Sequence, residues 1–204
     1  PAALKGVSFE IPSASFVAVL GPTGAGKTTL LQILSGISGS LTTAQATGNV
    51  QIGTERFDPI PPRVLFPTVG YFMQDPSVQL SGIHETVEEE IAFTLNNLGV
   101  SPQDQSRRVS DILSQMKLSH LAKRHPLQIS GGELQKVLIA SLLVARPSIL
   151  LLDEPANSLD PGAQHILSRM LRSLRNTTVL FTDYQIDFAL QLADNFLVIN
   201  FSFK

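Results

Sequence analysis

The chain contains no cysteine, which excludes disulfides and thiolate-bound metal sites. It also lacks a surplus of charge of either sign: 15 basic residues stand against 17 acidic ones, for a formal net charge of −2. No electrostatic footprint for nucleic acid is therefore present. His84, His120, His125 and His165 show no metal-ligand spacing and are expected at helix ends or on solvated faces. The most apolar stretch, Val137 to Ala145, is too short to cross a bilayer, so any link to a membrane is expected to run through a partner. Internal repeats and low-complexity segments are absent as well. With 204 residues the chain is one large α/β domain, or a core with a smaller subdomain, and is long enough to bury a core.

What is present is concentrated in three short segments. Phe16 to Leu20 is apolar and rich in β-favouring residues, which predicts a buried parallel strand. It runs into Gly21, Pro22, Thr23, Gly24, Ala25, Gly26, Lys27 and Thr28, matching G-x-x-x-x-G-K-[ST] at every fixed position, with Thr29 next. The glycines let consecutive backbone N–H groups turn toward one anion. A helix predicted over 27–35 then points its positive dipole end at the phosphates, Lys27 reaches the β and γ oxygens, and Thr28 holds Mg²⁺. The plain alternative is a glycine-rich turn with an incidental lysine.

Ile149 to Leu152 forms a second buried strand and ends in Asp153, Glu154 and Pro155. Carboxylates at the carboxyl end of a parallel strand lie where ligands bind in open α/β sheets. Asp153 is then expected to orient Mg²⁺ through its water shell, and Glu154 to polarise the water that attacks the γ-phosphate. Alone, the same triplet could simply cap the following helix.

Ser130 and Glu133 form an S-x-x-E capping box ahead of a helix marked by Leu134, Val137, Leu138 and Ser141. Against a purely structural cap stand Gly131 and Gly132, each costing roughly 1 kcal/mol relative to alanine in a helix. They predict that something approaches this backbone closely.

Taken in this order, GPTGAGKTT, ISGGELQKV and ILLLDEP resemble the ATP-binding cassette (ABC) family, and the likeness extends along the whole chain. The resemblance implies a P-loop NTPase core with a mainly parallel sheet, a small antiparallel β-subdomain and an inserted α-helical subdomain. It implies that ATP with Mg²⁺ is held between two such chains, Ser130, Gly131, Gly132 and Glu133 forming the second half of the partner's site. Glu133 stands where the family usually has glutamine. Gln74, after the strand-like VGYFM, matches the glutamine loop that touches Mg²⁺ and the attacking water, and Ser158-Leu159-Asp160 resembles the loop that crosses the dimer interface. The family's switch histidine is replaced by Asp183 in VLFTDY, and none of the four histidines falls where it could substitute. An ionised carboxylate cannot donate to the γ-phosphate and repels it, so slow turnover is expected. The alternative is a loop on another path, with Asp183 capping the helix near 185–193.

Along the chain, residues 1–20 and roughly 44–72 are expected as strands of the small antiparallel sheet, with loops at Gly48-Asn49 and from Pro59 to Pro67. Residues 1–77 and 129–204 form the expected core with its β-subdomain, and 78–128 the helical subdomain. Thr86 and Glu89 make a second capping box, followed by the apolar face Val87, Ile91, Leu95 and Leu98 up to Gly99. Further helices are predicted at 103–117, 162–175 and 185–193, with strands Thr178 to Thr182 and Phe196 to Ile199. The family pattern leads to the expectation that both termini are incomplete.

The 27 residues from Gln74 to Val100 narrow the likeness to the ATPases of energy-coupling factor transporters, through Gln74, Pro76 and Gln79, then Thr86 to Phe93, then Asn97 to Gly99. That resemblance implies a second cassette subunit, a transmembrane coupling subunit and a substrate-binding membrane subunit for vitamins or cobalt or nickel ions. It also implies a peripheral position on the cytoplasmic face of the cell membrane. Glu88, Glu89 and Glu90 are a candidate docking surface for arginines of the coupling subunit, the alternative being a solvated helix start. Two rival classes remain: a regulatory, weakly hydrolysing cassette, kept open by Asp183, and a soluble cassette acting on DNA or ribosomes. The second is disfavoured by the lack of a coiled-coil insert or zinc-binding cysteines.

Overall fold

Five strands lie parallel in the order β4-β5-β6-β1-β7: β1 Phe16–Leu20, β4 Val69–Phe72, β5 Ile149–Asp153, β6 Thr178–Thr182 and β7 Asn195–Val198. The computed structural model describes residues 4–37, 47–57, 65 and 67–200. Register is set by pairs such as Val17 opposite Leu180 and Leu151 opposite Leu180. Alternate residues of β1, β4, β5 and β6 enter two separate cores, as a pleat with period two requires. Val17, Val19, Tyr71, Leu151 and Leu180 meet Leu30 and Leu31 of α1 (Lys27–Ser35) on one face. Phe16, Ala18, Phe72, Leu150, Leu152, Val179 and Phe181 meet the remaining helices on the other. Covering both faces is what allows near-continuous apolar strands in a parallel sheet.

The helices of that second face are α2 (Val87–Asn97), α3 (Pro102–Gln115), α4 (Gly131–Leu143), α5 (Pro161–Arg172) and α6 (Ile186–Leu192). The first four start where a side chain accepts one of their first N–H groups. Thr86 and Glu89 form the predicted capping box of α2, and Ser130 with Glu133 that of α4. The amides of Val87 and Glu88 also donate to the carbonyls of Arg124 and Ala122, at 2.9 and 3.1 Å. Val87, Ile91 and Leu95 are fully buried, and Gly99 ends the helix in the left-handed region at φ 67°.

Three expectations change. The antiparallel sheet reduces, among the described residues, to β2 (Val50–Ile52) and β3 (Glu55–Phe57). Residues 4–15 form no strand; 16–20 take the parallel place their apolar run predicts and not the antiparallel one, and 69–72 join the same sheet, because the alternating side chains of both fill both cores. Most of the expected loop from Pro59 to Pro67 lies outside the described residues. Glu88, Glu89 and Glu90 do not form a free acidic surface. Glu90 is buried and accepts from the amide and hydroxyl of Ser81 at 2.8 and 2.6 Å, Glu89 closes the capping box, and Glu88 pairs with Lys123.

Asp194 ties β7 to β1. It accepts from the Phe16 amide at 3.0 Å and from Arg172 Nη1 at 2.7 Å, and the Arg172 guanidinium lies 5.0 Å from the Phe16 ring centroid. The Arg172 hydrogen bond, with the Phe16 amide behind it, holds the Asp194 carboxyl below the usual aspartate range. A depressed folded pKa contributes stability above the unfolded value that is lost as pH falls through the folded one. Asp194→Asn should therefore unfold at a lower temperature than the parent near pH 7, by less than about 1 kcal/mol because the pair is solvated. The gap should close in acid below the ordinary aspartate range, as followed by thermal melts across pH.

Candidate functional site

Because the strands are parallel, the chain leaves β1, β4, β5 and β6 at one edge of the sheet, and most candidate residues follow those four strands. After Leu20 the backbone passes so close to β7 that a Cβ on Gly21 would lie 2.3 Å from the Ile199 carbonyl oxygen. Gly24 and Gly26 are left-handed, at φ 80° and 94°, which glycine alone adopts freely. The Ala25 amide donates to the Pro22 carbonyl at 3.1 Å, closing the turn over exposed Pro22, Thr23 and Gly24. Gly26 is the N-cap of α1 and no side chain caps it. Such a start leaves N–H groups and the positive helix end available to an anion, with Thr28 and Thr29 in the first turn. Lys27 Nζ donates to the Gly21 and Pro22 carbonyls at 2.8 and 3.1 Å and lies 4.9 Å from the ring centroid of Tyr184.

Two carboxylates close the carboxyl end of β5. Asp153 is buried; its Oδ1 accepts from the Thr182 hydroxyl at 2.6 Å, while its buried Oδ2 has no partner among the described residues. Glu154 has φ 54°, a strained value for a non-glycine residue. Its amide donates to both the carbonyl and the hydroxyl oxygen of Thr182, each at 3.0 Å. That pins the strained residue to β6. Gln74 Nε2 donates to Glu154 Oε1 at 3.1 Å and Asn157 Nδ2 to Oε2 at 3.2 Å. Burial pushes the Glu154 carboxyl above the usual glutamate range, a hydrogen bond from Tyr184 opposes the rise, and neighbouring Asp153 adds to it.

Asp183 follows β6 and turns inward. Its Oδ2 accepts from the Ala156 amide at 3.3 Å and its Oδ1 from the Gln185 amide at 2.8 Å. The second bond supports the start of α6, whose N-cap residue Gln185 offers no side-chain cap of its own. The first bond anchors the loop after Glu154. Burial raises the Asp183 pKa, and the backbone amides hold it down.

The remaining candidates lie elsewhere. Ser130 caps α4, and Ser130, Gly132, Glu133 and Lys136 line a cavity of about 240 Å³ with Ser158, Leu159 and Asp160. No residue of the loop 21–28 lines it. A Cβ on Gly132 would meet the Ser158 carbonyl at 3.2 Å, so this glycine has a reason within the chain, whereas a Cβ on Gly131 would meet nothing within 4 Å. The close approach expected at both glycines is thus internal for Gly132, and Gly131 faces open space.

Four participants carry little or no signal in the sequence. Thr182 and Asn157 belong to no motif, since polar residues at loop starts are common. Gln135, buried in α4, donates through Nε2 to the Pro155 carbonyl and joins the Ser130 helix to the Glu154 loop. Tyr184 has one available signal, its place directly after the anomalous Asp183. Among the described residues no cluster of His, Cys, Asp and Glu forms a metal cage, and no helix is long and apolar enough to cross a membrane.

Comparisons with known proteins agree with this architecture. A family model described as ABC transporter matches residues 4–157. A Geobacter sulfurreducens protein named as an ABC transporter ATP-binding protein is 38% identical over 201 residues, covering 97% of this chain and 76% of its own. The energy-coupling factor transporter ATP-binding protein EcfA1 of Thermotoga maritima is 38% identical over 173 residues, 85% of this chain and 62% of that protein. Two Streptomyces relatives are longer, and the chain spans 34% and 35% of their lengths. Among solved structures, the ATP-binding cassette MJ0796, a dimer in a post-hydrolysis state with ADP and Pi, matches with TM-score 0.84 at 25% identity, over 97% of this chain and 86% of that one. The structure of cbiO1 from Clostridium perfringens, part of the ABC transporter complex cbiONQ, matches with TM-score 0.80 at 29% identity, over 97% and 78%.

A histidine placed at position 183 should cost stability. Asp183→His removes the acceptor for two backbone amides, lowering stability by about 1–3 kcal/mol, or roughly 2–4 °C in Tm for each kcal/mol. Thermal denaturation beside an ATP-hydrolysis assay checks this. An unchanged Tm with faster turnover would mean that Asp183 is not holding these loops.

Proposed function

The chain belongs to the ABC transporter family of ATP-binding proteins, and from that premise we propose that it is the ATP-hydrolysing subunit of an energy-coupling-factor type importer. Two copies, or this chain and a second cassette, close on ATP as a sandwich and reopen on hydrolysis. The sandwich drives a transmembrane coupling subunit and its substrate-binding membrane subunit from the cytoplasmic face, with vitamins or transition-metal ions as cargo. The EcfA1 relatives and the likeness to cbiO1 support the subfamily. In this reading residues 78–128 form a helical subdomain inserted between 1–77 and 129–204.

The observation that carries the proposal is the separation of the two phosphate-facing surfaces. The loop 21–28 sits at the sheet edge, while the Ser130 cavity contains none of its residues. One chain therefore offers two half-sites, and a second chain is needed to bring Gly131 against a phosphate held on Lys27. Within each site Gly21 to Thr29 cradles the phosphates, and Ser130, Gly131, Gly132 and Glu133 complete the cradle from the other chain. Glu154 polarises water and Gln74 orients it. Mg²⁺ fits the unpartnered, buried Oδ2 of Asp153, with Thr28 and Gln74 as further oxygen donors. When bound, the cation neutralises charge on the β- and γ-phosphate oxygens. Burial raises the Glu154 pKa, which strengthens the carboxylate as a proton acceptor.

A second reading has its own support. Asp183 is committed to backbone amides, so the chain could serve as a regulatory cassette of low turnover whose main contribution is the Ser130 half-site.

Complementation separates one-chain from two-chain sites. Lys27→Ala should remove at least about 10²-fold of hydrolysis, and Gly131→Asp should do the same by placing a carboxylate against the partner's phosphate. A mixture should regain activity, because a mixed dimer pairs one intact Lys27 with one intact Gly131. A mixture as inactive as its components would contradict the shared site.

A further inference from the structure

The loop after β6 brings a neutral hydrogen-bond donor to the gap between the phosphate-loop lysine and the β5 glutamate. Tyr184 lays its ring over the Lys27 ammonium, 4.9 Å from Nζ to centroid, on the side of the site where it also helps hold down the pKa of the Glu154 carboxyl. The residue is 52% exposed, so the side chain stands on the open surface of the site and not in the core. The residue before it keeps it there. Asp183 is drawn inward by the amides of Ala156 and Gln185, at 3.3 and 2.8 Å, and the chain bends at Tyr184 directly after it. The anchored turn holds the Tyr184 ring over Lys27.

Transfer of a γ-phosphoryl group spreads charge over its equatorial oxygens, which require donors aimed at them. Among the described side chains at this edge, Asp153, Glu154 and Asp183 only accept when ionised. The Gln74 and Asn157 amides donate to Glu154, and the Thr182 hydroxyl donates to Asp153. Lys27 supplies the positive charge. Besides the threonine hydroxyls of the loop 21–28 and the start of α1, Tyr184 adds a neutral, solvent-reachable hydroxyl that can donate to a phosphate.

We propose that Tyr184 is a further catalytic residue, donating its phenolic hydrogen bond to a γ-phosphate oxygen of ATP held on Lys27 of the same chain. The inference rests on the reading of Lys27 and Glu154 as ATPase groups. It gives the site a donor at the position beside Asp183, so that hydrolysis does not depend on Asp183 being protonated.

Tyr184→Phe tests this, since it keeps the ring over Lys27 and removes only the hydroxyl. In the full chain, assembled as it works, kcat should fall about 10–100-fold while KM for ATP stays within about twofold, because the bond strengthens in the transition state. Binding of ADP with aluminium fluoride, a mimic of the transferring phosphoryl group, should weaken about tenfold, while binding of ADP alone should not change. A purely structural tyrosine would move both nucleotides together or neither. Parental kcat in Tyr184→Phe, or equal retention of the fluoride complex, would overturn the inference with the ATPase reading intact. A parent chain that neither binds nor hydrolyses ATP would instead fail the ATPase reading, and this inference with it.

Discussion

Parallel pairing of strands buried on both faces is the constraint from which the chemistry of this chain follows. Once β4, β5, β6 and β1 are neighbours in one sheet, their carboxyl ends must share an edge. Gln74, Asp153, Glu154, Thr182, Asp183, Tyr184 and the loop 21–28 are then neighbours although they span most of the sequence. No long-range polar contact needs to be strong to assemble the site. The apolar cores above and below the sheet, with Leu31 and Leu151 on one side and Phe72 and Phe181 on the other, do the assembling.

The edge so formed is under electrostatic and steric strain. Three buried carboxylates and one buried lysine share it, and burial raises the pKa of both Glu154 and Asp183. Glu154 is held at a positive φ by paired hydrogen bonds to Thr182. Such arrangements persist only where surrounding structure over-determines them. Here the over-determination is visible: Asp183 anchors the Ala156 amide, Gln135 holds the Pro155 carbonyl, and Asn157 and Gln74 hold the two Glu154 oxygens. The link through Gln135 runs from the helix that begins at Ser130, so the two half-sites of one chain are mechanically joined.

Much of this is legible in the amino-acid order itself. FVAVL, ILLLD and TVLFT are short apolar runs ended by turn or charged residues, and both capping boxes announce their helices to the residue. The glycine-lysine loop and the carboxylate pair are dense local signals. Partner choice is not legible in the same way. Residues 69–72 read equally well as an antiparallel strand, because strand character does not specify a neighbour. The three glutamates at 88–90 read as a surface, and only the fold shows that Ser81, Thr86 and Lys123 meet them from other turns of the chain. Asp183 stands out as an anomaly but its direction does not, since an aspartate caps, repels or clamps according to backbone path. Tyr184 is hidden for the same reason: nothing in TDY says which of its two polar side chains faces the phosphate loop.

The central claim is that ATP closes two half-sites from two chains. The most direct measurement is the mass in solution of the Glu154→Gln variant, by light scattering behind a sizing column, with and without ATP and Mg²⁺. Blocking hydrolysis should trap the closed sandwich, so the account predicts a monomer without nucleotide and a doubled mass with it. A mass that stays monomeric at saturating ATP would contradict pairing of this chain with itself and leave its Ser130 half-site without the phosphate it is read to meet.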